Sequence, residues 1–280
     1  MTDNSQVLKI EGDLDKEKGN IESKVSVVVM GSVKSGCSIK TDGDITVMGI
    51  VEDAELEAGG SIDIRERFRG KGHGRAVAVK DVILNYSDSQ TVLAGNDVIV
   101  KDGLVHSHVE ANNKIVVSGN KGIIGGKASA GKMIDVKTAG ASTNTQTLLC
   151  TGIDVENRRK LENLEHDIHI NVENTNKIVK SHHLINKIKV LRGELSSEQE
   201  AILQKLVSTF EKLKEERELI NGKIGELIKN HMNVDSQIKI EKKVYPGVKL
   251  EFGIIKMNVR DEASKVLFQI KDGTIKAMRF

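Results

Sequence analysis

GGKASAGKMIDV (125–136) sets Gly126, Gly131 and Lys132 at the spacing of a phosphate-binding loop. Such a loop cradles phosphates on backbone N–H groups, offers a Ser or Thr hydroxyl to Mg²⁺ and runs into a helix. Met133 stands where the hydroxyl belongs, and the residues after it read I-x-V, which is a strand pattern. The string is therefore expected to be a tight corner, and no nucleotide or other cofactor is expected. A second constellation is RERFRGKGHGR (65–75), with Arg65, Arg67, Arg69, Lys71, His73 and Arg75 at alternating positions. In extended chain these project to one side as a basic row that could meet phosphate, nucleic acid or an acidic protein surface. Phe68 is the only aromatic there to stack on a base. A solvated outer face, with Glu57, Asp63 or Glu66 as counter-charges, is the plainest reading; an acidic protein partner comes next, and nucleic acid is disfavoured.

His106 and His108, two apart, could offer two ligands to a metal, but a catalytic metal site needs a third ligand and an open position. His166 and His169, near Glu162 and Glu165, read as surface histidines on a helix. Cys37 and Cys150 fit no metal or redox spacing and are expected to be reduced, buried thiols. Asp42, Asp44, Asp63 and Asp97 sit in or beside turns, where carboxylates satisfy backbone N–H groups. No nucleophile–base arrangement accompanies them. No catalytic, cofactor-binding or metal-binding residue is expected, and the chain reads as a non-enzyme.

Composition points the same way. Aromatics are 2% with no Trp, so the core must be mainly aliphatic and sugar platforms are scarce. The 42 basic and 40 acidic residues nearly cancel, which gives no reason to expect nucleic acid or an anionic membrane. There is no signal-like stretch and no run of 18 apolar residues, so a cytoplasmic protein without membrane insertion is expected.

The residues above must be positioned by a repeat. IKTDGDITV (39–47), LEAGGSIDI (56–64), VLAGNDVIV (92–100), VEANNKIVV (109–117) and ASAGKMIDV (128–136) share a small or apolar pair, a two-residue turn and an apolar–x–apolar triplet. VAVKDVILN (77–85) is a degenerate copy. The second turn residue falls at 43, 60, 81, 96, 113 and 132, in steps of 17, 21, 15, 17 and 19 residues. Apolar residues two apart mark one face of a strand, and one strand cannot bury that face alone. Stacked coils would pair such strands in parallel and close their Val/Ile ladders into a continuous core. The fold class is mainly β, a parallel β-helix (solenoid) with an α insertion.

Leu203, Leu206, Phe210, Leu213, Arg217, Ile220, Ile224, Leu227, His231 and Val234 alternate steps of three and four, a heptad seam. Leu161, Leu164, Ile168, Asn171, Thr175, Ile178, His182 and Ile185 form a weaker one. Between them GELSSEQE (193–200) can end one helix at Gly193 and cap the next through Ser196–Gln199 or Ser197–Glu200. A long antiparallel coiled-coil hairpin follows. VKLEF, KMNV, KVLFQI and TIKAMRF then return to strand-like alternation, with a hairpin turn at 271–274. The expected domains are a β-helix over 1–153, a helical hairpin over 154–240 and strands over 241–280 that rejoin and cap the β-helix.

GDLDKEKGNIE (12–22), VVVMGSV (27–33), GIVEDAELEAGGSI (49–62), GKGHG (70–74), LVHSHVEANNKI (104–115), KGIIGGKASAGK (121–132), GID (152–154) and VYPGVKLEFG (244–253), in this order, resemble the bacterial flagellar assembly protein A family. The resemblance implies a single-stranded right-handed parallel β-helix interrupted by the hairpin, similar in its stacked coils to the polymer-forming bactofilins. It implies a non-catalytic cytoplasmic protein linked to flagellar assembly or cell-pole organisation. Family members usually carry a substantial domain before the β-helix, whereas this sequence opens on the repeats.

The function expected is a scaffold whose hairpin arm binds protein partners, flagellar or polarity factors among them. Arg65, Arg67, Arg69 and Lys71 on the β-body and Arg192, Glu194 and Glu198 at the hairpin tip are the candidate contact residues. Self-association would use the coil ends or the hairpin seam. A carbohydrate-active β-helix enzyme is the alternative, and a nucleic-acid-associated protein using 65–75 is the third reading.

Overall fold

The computed structural model describes residues 7–280. Two sheets carry the stacking. The first joins Leu8–Ile10, Val27–Val29, Ile45–Val47, Ile62–Arg69, Val82–Asp88, Val98–Val105, Lys114–Val117, Met133–Ala139 and Gln237–Val244. The second joins Ile21–Ser23, Ser38–Thr41, Glu55–Ala58, Arg75–Ala78, Thr91–Ala94, His108–Ala111, Gly126–Ala130, Thr147–Thr151 and Val248–Phe252. Every neighbouring pair in these two series is parallel. A third, thinner side begins as single bridges from Leu14 to Val33, Val51 and Phe68. It continues in the second halves of the longer strands and in Gly122–Ile124. The result is a parallel β-solenoid of about eight turns.

The core follows from the triplets. Val27, Ile45, Ile62, Val82, Val98, Ile115, Ile134 and Ile238 occupy one register column, and each is 0% exposed. On the second sheet the inner column runs Ile39, Leu56, Ala76, Val92, Val109, Ala128, Leu149 and Leu250. Alternation within each strand leaves the intervening residues outside. Cys37 and Cys150 are buried thiols outside any disulfide; burial, with Asp15 adding, raises the Cys37 thiol pKa.

Gly131 and Lys132 turn between the strands Gly126–Ala130 and Met133–Ala139, and no helix follows. A Cβ on Gly131 would lie 2.1 Å from the Asn112 carbonyl oxygen of the preceding coil. The glycine is needed because two backbones meet there, so the resemblance to a phosphate loop is incidental.

Helix α1 (Val155–Arg192) and helix α2 (Ser197–His231) form a second compact unit over residues 156–231. Gly193, at φ 84°, ends α1 with its N–H on the Lys189 carbonyl at 2.8 Å. Of the two capping boxes open to the sequence, Ser196–Gln199 forms: the Gln199 N–H donates to Ser196 Oγ and the Ser196 N–H to Gln199 Oε1. The helices meet at a polar layer. Asn171 Nδ2 donates to the Leu213 carbonyl at 3.0 Å, while Arg217 donates to Asn171 Oδ1 and Thr175 Oγ1 at 3.2 and 3.0 Å. The expected seam departs from the structure at its end. α2 stops at His231, and Val234 is 62% exposed beyond it.

Gln237–Val244 and Val248–Phe252 extend the two parallel sheets by one more coil. The expected boundary at 240–241 falls inside the first of these strands, because the lysines of QIKIEKK prolong the charged pattern of the helix while its isoleucines already alternate inward. Ile255–Asn258, Val266–Lys271 and Thr274–Arg279 then pair antiparallel. This reversal closes the last coil against further parallel addition. Asp272 and Gly273 take φ of 51° and 70°, as a type I′ hairpin turn requires.

Candidate functional site

The basic row is interrupted by the fold. Register shifts between Ile64 and Arg67, which places a corner inside Ile62–Arg69. Arg65 stays on the near side of that corner with its guanidinium 2.8 Å from Asp63. Arg67 and Arg69 lie beyond it on the third side, and Phe68 points between them into the core. The chain then turns through 70–74. There the Lys71 and His73 N–H groups donate to the Asp53 carboxylate, Lys71 at 2.7 and 2.9 Å and His73 at 3.1 Å. Burial works against ionisation of Asp53, but these N–H donors outweigh it and hold the pKa below the usual carboxylate value. Arg75 begins a strand of the second sheet, 3.9 Å from Glu55. The expected single row thus reduces to Arg67 and Arg69 on one surface.

That surface contains two residues the linear pattern does not associate with it. Tyr86 is the register partner of Arg67 on the next coil, and the Arg67 guanidinium stands 5.6 Å from its ring centroid. Lys121 Nζ stands 4.6 Å from the same ring and 2.8 Å from Asp102. Burial and Asp88 raise the Tyr86 pKa, while Lys121 and Arg67 draw it back. The tyrosine ring is thus held between two cations. The one-coil spacing from Arg67 to Tyr86 is the signal that could have revealed it.

At the hairpin, Arg192 ends α1, Glu194 lies in the link and Glu198 stands in the first turn of α2; all three are exposed. Farther down, Ile178, Val179, His182, Leu206, Val207 and Phe210 line an apolar groove of about 290 Å³. Val179 and Val207 flank the seam, outside the positions a heptad count selects.

A model of the Flagellar Assembly Protein A β-solenoid domain matches residues 6–275. The chain belongs to the flagellar assembly protein A family. No curated protein and no solved structure matches it.

In this flagellar assembly protein A solenoid Asp44 and Asp97, two of the four expected turn acids, serve the backbone, whereas Asp63 pairs with Arg65. The Asp44 carboxylate accepts from the Ser61 N–H at 2.7 Å, and Asp97 accepts from the Lys114 N–H at 3.0 Å and Asn113 Nδ2 at 2.7 Å. Each carboxylate ties one coil to the next. Asp97→Ala removes the acceptor for two donors and is expected to lower stability by about 1–2 kcal/mol. The midpoint of urea denaturation measures it; an unchanged midpoint would show that water replaces the carboxylate without loss.

The histidine pairs do not converge. His106 takes φ 46° in a corner, whereas His108 lies in the strand His108–Ala111 with Nε2 3.0 Å from Glu110 Oε1. His166 and His169 are exposed, and His169 is 3.2 Å from Glu173. Among the described residues no three His, Cys, Asp or Glu side chains are grouped to hold a metal. Among the described residues no helix is long and apolar enough to cross a membrane.

Proposed function

We propose that this flagellar assembly protein A member is a non-enzymatic cytoplasmic scaffold acting in flagellar assembly or cell-pole organisation. The helical hairpin is its partner-binding element. The observation that carries this reading is the unbalanced surface of the hairpin: helices of 38 and 35 residues leave Val190 and Leu191 83% and 76% exposed near the tip. Exposed apolar side chains clustered in this way mark interaction surfaces. Arg192, Glu194 and Glu198 border those residues and would supply polar contacts at the rim. The Arg67–Tyr86–Lys121 cluster is a second contact suited to an acidic partner surface. Family membership supports the flagellar setting.

Replacing residues 160–235 by a glycine linker is expected to leave a folded β-solenoid and to abolish capture of the partner from native cytosol. Circular dichroism should show loss of helix with the β signal retained. Capture that survives the deletion refutes the hairpin as the binding element.

A further inference from the structure

We propose that the groove along the hairpin receives the same groove of a second copy, so that two hairpins pair with tips together into a four-helix bundle. The proposal rests on reading the hairpin as a contact element and assigns its middle, rather than its tip, to self-association.

Three observations select a second copy as the occupant. The groove is apolar and lies across both helices, with Val179 on α1 and Val207 on α2 at its rims, 49% and 47% exposed. The distal parts of the helices are oppositely charged. From 177 to 192, α1 carries Lys177, Lys180, Lys187, Lys189 and Arg192 and no acid. From 194 to 211, the link and α2 carry Glu194, Glu198, Glu200 and Glu211 against one base, Lys205. The third observation is one of level. The Asn171–Arg217 contact aligns the two helices, so Lys187 stands level with Ala201, beside Glu200, and Lys180 with Ser208, one turn from Glu211. Val207, Glu200 and Glu211 share one stripe of α2 at spacings of seven and four.

A two-fold axis parallel to the helices sets α1 of each copy beside α2 of the other, antiparallel and at equal height. That arrangement covers Val179 and Val207 and brings Lys180 and Lys187 against the partner's glutamates. Within one chain these side chains have no ion-pair partner among the described residues. The hairpin surface is therefore self-complementary in charge, with an apolar strip between the charged flanks. A foreign partner would have to match a basic and an acidic helix side by side, which a second copy does by symmetry.

Sedimentation velocity over a concentration series tests this on the full chain. The natural sequence is expected to dimerise. Lys180→Glu with Lys187→Glu, and separately Glu200→Lys with Glu211→Lys, are each expected to raise the dimer Kd at least about tenfold, because a two-fold contact repeats every like-charge encounter. Mixing the two variants restores opposite charges at both α1–α2 contacts, and the mixture is expected to associate as the natural sequence does. Val179→Glu with Val207→Glu should give a monomer with unchanged helical circular dichroism. A natural chain that stays monomeric, a dimer indifferent to all these changes, or a mixture that fails to associate overturns the proposal. Partner capture by the monomeric groove variant separates this result from the scaffold reading: retained capture leaves the tip as a distinct partner site, whatever the outcome for dimerisation.

Discussion

Phe68→Ala is expected to lower the stability of the solenoid by about 3–5 kcal/mol. The ring is 0% exposed in a core otherwise built almost entirely from aliphatic side chains. It ends the run of single bridges from Leu14 through Val33 and Val51, and on its other side it pairs with Ser87. On the earlier coils this third side has the least ladder, and the ring adds a large apolar contact between the backbone bonds that Arg67 and Arg69 make with Val51. A Cβ on Gly74 would lie 2.7 Å from the Phe68 ring, which shows how closely the 70–74 turn closes over it. Removing the ring leaves a cavity that the register columns on either side cannot collapse into without breaking their pairing. The same turn carries the N–H donors of Asp53, so loosening it removes a second tie between coils. Phe68→Leu, which keeps most of the volume, should recover most of the loss. Urea denaturation followed by far-ultraviolet circular dichroism measures both. A loss below about 1 kcal/mol for the alanine variant would mean that the third side is not a closed part of the core.

The two principal sheets were legible because their determinants are local. Residues two apart in each triplet are also the residues that stack from coil to coil, so a one-dimensional pattern maps onto a three-dimensional column. A capping box at Ser196 or Ser197 and the hairpin turn at 271–274 were legible for the same reason, and the structure selects Ser196–Gln199. The third side was not. Leu14, Val33 and Val51 recur at steps of 19 and 18 residues, much as the triplets do, but each is a single inward residue among turns, with no apolar partner two residues away to mark a strand. The basic row illustrates the converse failure, since alternation from Arg65 to Arg75 is present in the sequence but the chain changes side twice within it. The Tyr86–Lys121 contact spans two coils, and the Val179–Val207 groove spans two helices at flanking positions; neither pair is close in the sequence.

The same substitution is expected to have opposite signs in the two units. Gly122 lies at φ 66°, and a Cβ there would stand 1.9 Å from the Thr138 carbonyl oxygen of the following coil. Thr138 cannot recede, because its other side is held in register with Lys243. Gly122→Ala therefore combines a left-handed backbone conformation, at about 1–2 kcal/mol, with a collision between backbones. A total loss above about 3 kcal/mol is expected, in the range reserved for strained or overpacked sites. Gly222 sits in α2 with nothing within 4 Å of its would-be Cβ. Gly222→Ala replaces the residue most costly to order in a helix and should stabilise the hairpin by about 0.5–1 kcal/mol. Thermal unfolding followed at helix-dominated and strand-dominated wavelengths reads the two effects separately. A neutral Gly122→Ala would mean that neighbouring coils are not in van der Waals contact at this side. The stacking that defines the solenoid depends on that contact, because a coil with room for an extra methyl against the next backbone cannot also hold its inter-coil hydrogen bonds.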